Sequence, residues 1–256
     1  MPATPAWPPA SLPRLFVETD LAEGLTLTLD GTAANYLANV LRLGPGAQAK
    51  LFDDRTGEWL AEIVEAGRKR VTLSVAAKLG ERETVPDLWL LFAPLKRGRI
   101  DWLVEKATEL GVDRLVPVIT ERTVVDRLNL ERLRAHAIEA AEQCERTALP
   151  ALMPPRKLRE ILKDWPADRA LYFADEGGGT PLSAAATPGP AAILIGPEGG
   201  FTDPERAAIR ALPQARAVGL GPRILRAETA ALAAIALWMG AAGDHGLPPR
   251  RTACKD

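Results

Sequence analysis

After Pro86 the chain alternates between short apolar runs and longer amphipathic stretches, and no other feature constrains its fold as tightly. Residues 88–93, 115–119, 170–173 and 192–195 are apolar almost without a break, and a weaker run comes at 215–220. A run that is apolar on both sides of the pleat has to be covered on both sides, as strands of a parallel sheet are. Between the first two runs, Ile100, Leu103, Val104, Ala107 and Leu110 recur with helical spacing. Asp101 falls in the first turn of that helix and Gly111 just past its end. Leu130, Leu133, Ala137, Ala141 and Cys144 mark one face of a second helix, and residues 228–239 read as a last one. Residues 177–190, rich in Gly, Pro and Ala, read as a loop. Strand–helix alternation of this kind predicts an α/β domain with a parallel sheet.

The chain before Pro86 has a different rhythm. Residues 26–29, 47–52, 59–64 and 71–76 read as short strands, with a hairpin-type turn at 53–57. One helix, over 33–41, is stopped by Gly44-Pro45-Gly46. Several short strands with one helix predict a small β-barrel over 1–80. Residues 78–86 read as a polar linker, 87–245 as the α/β domain and 246–256 as a polar tail.

Composition removes several classes of function. The most apolar segment, 230–239, has ten residues, about half of what a membrane span needs, so no membrane association is expected. The first fourteen residues lack the charged start and apolar core of a signal peptide. Cys144 and Cys254 stand far apart, His136 and His245 are isolated, and no metal-ligand spacing occurs. A reduced, cytoplasmic protein without a metal is the expectation. Net charge is −1, with nine basic against eleven acidic residues in 1–85. A nucleic-acid partner would therefore have to be met by local patches rather than by the field of the whole chain.

Ligands of parallel α/β sheets sit outside the carboxyl ends of the strands, and three of those ends carry unusual residues. The run ending at Leu194 and Ile195 is followed by Gly196-Pro197-Glu198-Gly199-Gly200-Phe201, whose glycines let backbone amides approach a ligand. Thr202 and Glu205 then have the spacing of a capping box. The loop is neither GxGxxG nor a P-loop. The run ending at Leu220 continues as Gly221-Pro222-Arg223-Ile224-Leu225-Arg226-Ala227-Glu228-Thr229, where Ile224 and Leu225 can wall an apolar ring. Lys96, Arg97 and Arg99 lie at the start of a helix, an end that attracts phosphate.

Four segments carry a family resemblance: K-R-G-R-I-D-W-L-V-E-K-A-T-E-L-G-V at 96–112, E-Q-C-E-R at 142–146, L-I-G-P-E-G-G-F-T at 194–202 and L-G-P-R-I-L-R-A-E-T-A at 220–230. With R-L-F-V at 14–17 and V-L-R-L at 40–43, the chain resembles the RsmE family of small-subunit rRNA uridine-N3 methyltransferases over nearly its whole length. The resemblance implies a PUA-like barrel followed by a SPOUT methyltransferase domain with a C-terminal trefoil knot. It implies a homodimer that uses S-adenosylmethionine (SAM) to methylate N3 of one uridine in 16S rRNA of the small ribosomal subunit. Two positions depart from the family pattern: Asn35-Tyr36 stand where histidines are common, and Glu145 stands where glycine is usual.

Mapped onto this sequence, the cofactor would meet Leu194, Ile195, Gly196, Glu198, Gly199, Gly200, Leu220, Gly221, Ile224, Leu225, Arg226 and Thr229. Arg226 would stabilise a developing uridine anion, and Glu198 or Glu228 would take the N3 proton. Arg14, Arg42, Lys96, Arg97, Arg99 and Arg146 are the candidates for RNA contact. Two other readings are a methyltransferase of this fold with another RNA target and a non-catalytic RNA-binding assembly factor.

Overall fold

The structure, a computed structural model, describes residues 12–125 and 127–248. The proline-rich start and residues 249–256, including Cys254 and most of the expected tail, lie outside the described residues. The chain divides into two compact units: Met1–Thr84 with Ala141–Ala148, and Val85–Ala140 with Leu149–Asp256.

The first unit holds β1 (Arg14–Phe16), β2 (Thr26–Asp30), α1 (Gly31–Asn35), β3 (Gln48–Phe52), β4 (Glu58–Ala66) and β5 (Arg70–Gly80). Its sheet runs β1-β3-β4-β5-β2, with β1 parallel to β3 and the other pairs antiparallel. The hydrogen-bonded path ends at β1 and β2, so the unit is a half-barrel rather than a closed ring. Alternate residues of β4 and β5, Trp59, Ala61, Ile63, Val71, Leu73 and Val75, point into one core, as period-2 patterning requires. The helix expected over 33–41 is split. After α1 the chain widens into a π-helical turn over Tyr36–Val40, and Arg42 leaves it with a φ of 56°. The strand β5 runs through Lys78 to Gly80, so the expected linker begins later than its polarity implied. Polar side chains are tolerated there because this end of the strand is exposed.

Residues Ala141–Ala148 complete the first unit. The Arg14 guanidinium donates from Nη1 to the Ala141 carbonyl at 2.6 Å and from Nη2 to the Arg146 carbonyl at 2.8 Å. It also pairs with Glu58 through Nε and stacks 3.7 Å from the Phe52 ring centroid. The Glu83 carboxylate accepts from the amides of Thr147 and Ala148 at 2.6 and 2.9 Å. Glu145 adopts a φ of 61°, the left-handed conformation that glycine takes at least cost.

The second unit contains β6 (Leu88–Phe92), α2 (Arg99–Glu109), β7 (Arg114–Ile119), α3 (Leu130–Gln143), β8 (Ala151–Leu152), β9 (Arg156–Lys157), α4 (Leu158–Lys163) and β10 (Ala170–Ala174). It continues with β11 (Thr180–Pro181), α5 (Leu182–Ala185), β12 (Ala191–Ile195), α6 (Asp203–Arg210), β13 (Ala215–Gly219) and α7 (Ala227–Ala242). The end of α3, from Ala141, belongs to the first unit. The sheet is parallel and runs β11-β13-β10-β12-β6-β7-β8, with β9 also paired to β7. Its central strands, β10, β12, β6 and β7, are covered on both faces. Leu88, Leu90, Phe92, Ile193 and Ile195 join α2 and α7 in one core, while Leu91, Ala192, Leu194 and Phe173 join α4 and α6 in the other. Residues 177–190, expected to be loop, contain β11 and α5, because Leu182 is buried beneath α7. Among the described residues no helix is long and apolar enough to cross a membrane.

The last helix, α7, buries Ala231, Ala234, Ile235, Trp238 and Met239. Ala236, Leu237 and Gly240 on its other side are exposed, next to half-buried Leu232 and Ala233. An apolar stripe therefore remains on the surface of this chain.

Candidate active site

The strands β13, β10, β12 and β6 lie side by side and point the same way, so the loops leaving their carboxyl ends gather on one edge of the sheet. They enclose a cleft of about 580 Å³, the size of a small-molecule site.

Glycine shapes the wall contributed by the loop after β12. A Cβ on Gly196 would lie 3.0 Å from the ring of Phe201, and one on Gly200 would lie 2.8 Å from Oε1 of Glu176. Gly200 also takes a φ of 67°. The loop is fixed at its exit by the capping box of α6: the Thr202 amide donates to Oε2 of Glu205 at 2.9 Å, and Thr202 Oγ1 accepts from the Glu205 amide. The facing wall is the loop after β13. Gly221 turns it with a φ of 108°, Leu225 is half-buried, and Ile224 is 95 % exposed, an apolar side chain in want of a partner. Arg226 is the N-cap residue of α7. Among the described residues neither Arg223 nor Arg226 has a hydrogen-bond or ion-pair partner, so both keep their charge available at the cleft.

Two charged clusters border the space. Arg99 donates to Glu198, and its Nε lies 3.7 Å from Oε1 of Glu228. Glu228 is buried at the start of α7, and its Oε2 has no hydrogen-bond partner among the described residues. On the other side Asp175 has a side chain only 1 % exposed and accepts from Arg210 and from the Gly177 amide, with Arg206 at 3.4 Å. Burial pushes the Asp175 carboxyl up, but the Arg210 hydrogen bond, the Gly177 amide and the two guanidinium charges outweigh it. The net shift is downward from the ordinary value.

Of the residues picked out by sequence, Ile195, Gly196, Glu198, Gly200, Leu220, Gly221, Ile224, Leu225 and Arg226 meet around this one cleft. Leu194, Gly199 and Thr229 do not line it. Leu194 alternates to the opposite core face of the sheet. Gly199 turns toward Arg122, whose Nη1 donates to its carbonyl at 2.5 Å. Thr229 is exposed on α7. Glu228 sits behind Arg99 rather than on the wall.

The basic candidates divide in the same way. Arg42, Lys96 and Arg97 are exposed, and Arg99 is half-buried in the cleft. Arg14 and Arg146 are buried, and the Arg14 guanidinium is fully engaged inside the first unit, so neither offers charge to an RNA surface. Sequence reasoning misses Asp175, Glu176, Gly178 and Arg206, which also line the cleft. The signal is present: D-E-G-G-G comes directly after an apolar run, a third glycine-bearing strand end that looks like mere connection.

Known proteins resemble this chain in both of its parts. Residues 81–239 match the RNA methyltransferase domain family, and residues 29–76 match the RNA methyltransferase PUA domain family. The ribosomal RNA small subunit methyltransferase E of Rickettsia conorii is 31 % identical over 87 % of this chain and 93 % of its own length. That of Bacillus subtilis is 29 % identical, over 87 % and 94 %. The crystal structure of the Neisseria gonorrhoeae enzyme of the same name, bound to SAM, superimposes with a TM-score of 0.84 at 29 % identity, covering 91 % of this chain and 99 % of that one. A Legionella pneumophila methyltransferase solved with SAM has a TM-score of 0.82 at 30 % identity, covering 92 % and 100 %. The cleft between two glycine-bearing loops and the two matched domains lead to one conclusion: the chain belongs to the ribosomal RNA small subunit methyltransferase E family.

Proposed function

We propose that this protein transfers a methyl group from SAM to N3 of one uridine in 16S rRNA. The observation that carries the proposal is the cleft walled jointly by the loops after β12 and β13, two of the segments that carry the family resemblance. The residues present suit SAM. Gly196 and Gly200 leave no side chain in the way of the backbone, Ile195, Leu225 and Phe201 supply apolar wall, and Glu176 and Glu198 supply negative charge for a cationic ligand. When bound, SAM supplies a methyl already activated on a sulfonium.

The protein's own share of the work is alignment and charge. Uracil N3 must lose its proton during attack. Glu198, on the cleft wall, is the carboxylate suited to receive it, with Arg99 holding its orientation. Glu228 is the second carboxylate for that role, one step further back. Arg226, unpaired at the cleft, stabilises the anion that develops on the base. A base-paired uridine has to be swung out for its N3 to be reached. Lys96, Arg97 and Arg42 serve as phosphate contacts.

The same reading divides the labour between an RNA-binding PUA-like domain over about 1–80 and a SPOUT methyltransferase domain over about 87–245. The chain path through the two site loops would be the trefoil knot of that superfamily. The active form is a homodimer, supported by the exposed stripe of Leu237, Ala236 and Gly240 on α7. The compartment it implies is the cytoplasm, where small subunits are assembled.

The test is to incubate the purified protein with labelled SAM and small-subunit rRNA, digest the RNA and identify the product by mass spectrometry. 3-Methyluridine is expected, and its loss from the rRNA of a deletion strain should match. A different methylated nucleoside would refute the N3 assignment. Failure to bind SAM in a calorimeter would favour an assembly factor.

A further inference from the structure

A second cavity, of about 340 Å³, lies between the loop after β6, the start of α3 and the segment before it. Its walls are apolar at Leu95, Ile100 and Leu133, and its rim carries Arg97, Arg127 and Arg132 together with Asn129. Three guanidinium groups from three separate stretches of chain converge on one concave space.

Among the described residues that line the cavity none is acidic, and the nearest paired carboxylate is Asp101. Asp101 pairs with Arg132 at 2.7 Å, lies 3.8 Å from His136 and accepts from the Gly98 amide at 3.1 Å. Asn129 Oδ1 is used by the Arg132 amide at 2.9 Å. Among the described residues Arg97 and Arg127 have no hydrogen-bond or ion-pair partner, and both are exposed. Arg132 Nε is buried without a hydrogen-bond acceptor among the described residues. Among the described residues, the cavity therefore holds two unanswered positive charges and one donor lacking an acceptor. Planar guanidinium groups match phosphate oxygens two at a time. The start of α3, a helix of 14 residues, adds its partial positive charge.

We infer that this cavity is a phosphate subsite that grips one or two backbone phosphodiesters of the RNA, apart from the cleft where the base and the methyl donor meet. The inference rests on the proposal that the substrate is RNA, but not on which base is methylated. Arg97 and Arg127 make the phosphate contacts, and Arg132, held by Asp101, positions the rim. The exposed Arg97 and Arg127 present their positive charge to solvent at the rim, above the apolar Leu95, Ile100 and Leu133.

The experiment is filter binding of small-subunit rRNA to the full-length protein between 50 and 200 mM salt, repeated for Arg97→Gln/Arg127→Gln and for Arg159→Gln. Arg159 is an exposed arginine on α4, which packs on the opposite face of the sheet. Each phosphate contact contributes about 0.7–0.9 to the slope of log K against log salt. The double variant should lose roughly tenfold or more in affinity at the lower salt and about 1.5 in slope. SAM affinity should be unchanged in calorimetry, and Arg159→Gln should behave as wild type. An unchanged slope in the double variant, or an equal loss in Arg159→Gln, would overturn the subsite. Binding alone is measured, so a wild type that binds rRNA without methylating it would refute the proposed activity and leave this result standing.

Discussion

A Cβ placed on Gly200 would come within 2.8 Å of Oε1 of Glu176, so the tip of that exposed side chain on the loop after β10 rests where only glycine leaves room for it. The φ of 67° at Gly200 adds backbone strain for any other residue. Gly200→Val should therefore distort the cleft and weaken SAM binding by at least tenfold while the chain stays folded. Calorimetry with SAM beside a thermal melt measures both, and full affinity in a folded variant would count against the placement of the donor.

Arg226 stands at the N-cap of α7 with its charge unpaired among the described residues. A group that acts on charge developing in the transition state should govern turnover more than binding. Arg226→Ala is expected to lower kcat by about 10²–10³ with SAM affinity changed by less than threefold. A rise in KM for SAM at constant kcat would reassign Arg226 to donor binding.

Arg14 is the keystone of the first unit. Replacing it with Ala leaves Glu58, the Ala141 carbonyl and the Arg146 carbonyl without their donor. Loss of one partner from a buried charged network costs about 3 kcal/mol. Arg14→Ala should lower the urea midpoint, and Arg14→Lys should recover only part of it because a lysine cannot span three acceptors. A destabilisation below about 0.5 kcal/mol would show the network to be idle.

Glu145 holds a φ of 61°. Left-handed backbone costs an ordinary residue about 1 kcal/mol. Glu145→Gly is expected to raise stability by up to that amount, and a lower urea midpoint would mean that the glutamate side chain contributes more than its backbone costs.

The carboxyl of Asp175 lies below its ordinary value of 3.8, so the stabilisation it provides is complete above that value and is lost as pH falls through the lower, folded one. Asp175→Asn should thus be less stable than wild type at pH 7, and the gap should close in acid. A gap that stays constant from neutral pH to about pH 2.5 would contradict the assignment, since protonated Asp and Asn differ little in charge.

Much of this is legible in the sequence for a physical reason. Buried parallel strands declare themselves by unbroken apolar runs, and Leu88–Phe92 and Ala191–Ile195 can be read almost to the residue. The capping box at Thr202 is visible from spacing alone. The features that escape are set by long-range partners. Arg14 looks like a surface cation because nothing local reveals that Ala141 and Arg146 will supply its acceptors. The short helix α5 is hidden in a run of Gly, Pro and Ala, where only the burial of Leu182 beneath α7 distinguishes helix from loop. Gly199 and Gly200 are indistinguishable as letters, yet one faces Arg122 and the other faces Glu176.

The first unit is completed by Ala141–Ala148, a segment encoded after the first strands of the second unit. During synthesis, at about 5–20 residues per second, Arg14 and Glu83 must wait for their acceptors and donors until that segment has left the exit tunnel. By then β6, α2 and β7 have already emerged. The N-terminal unit therefore gains its last segment only after those elements are in the open. A fragment ending at residue 84 would carry every strand of the half-barrel and still lack the peptide that locks it.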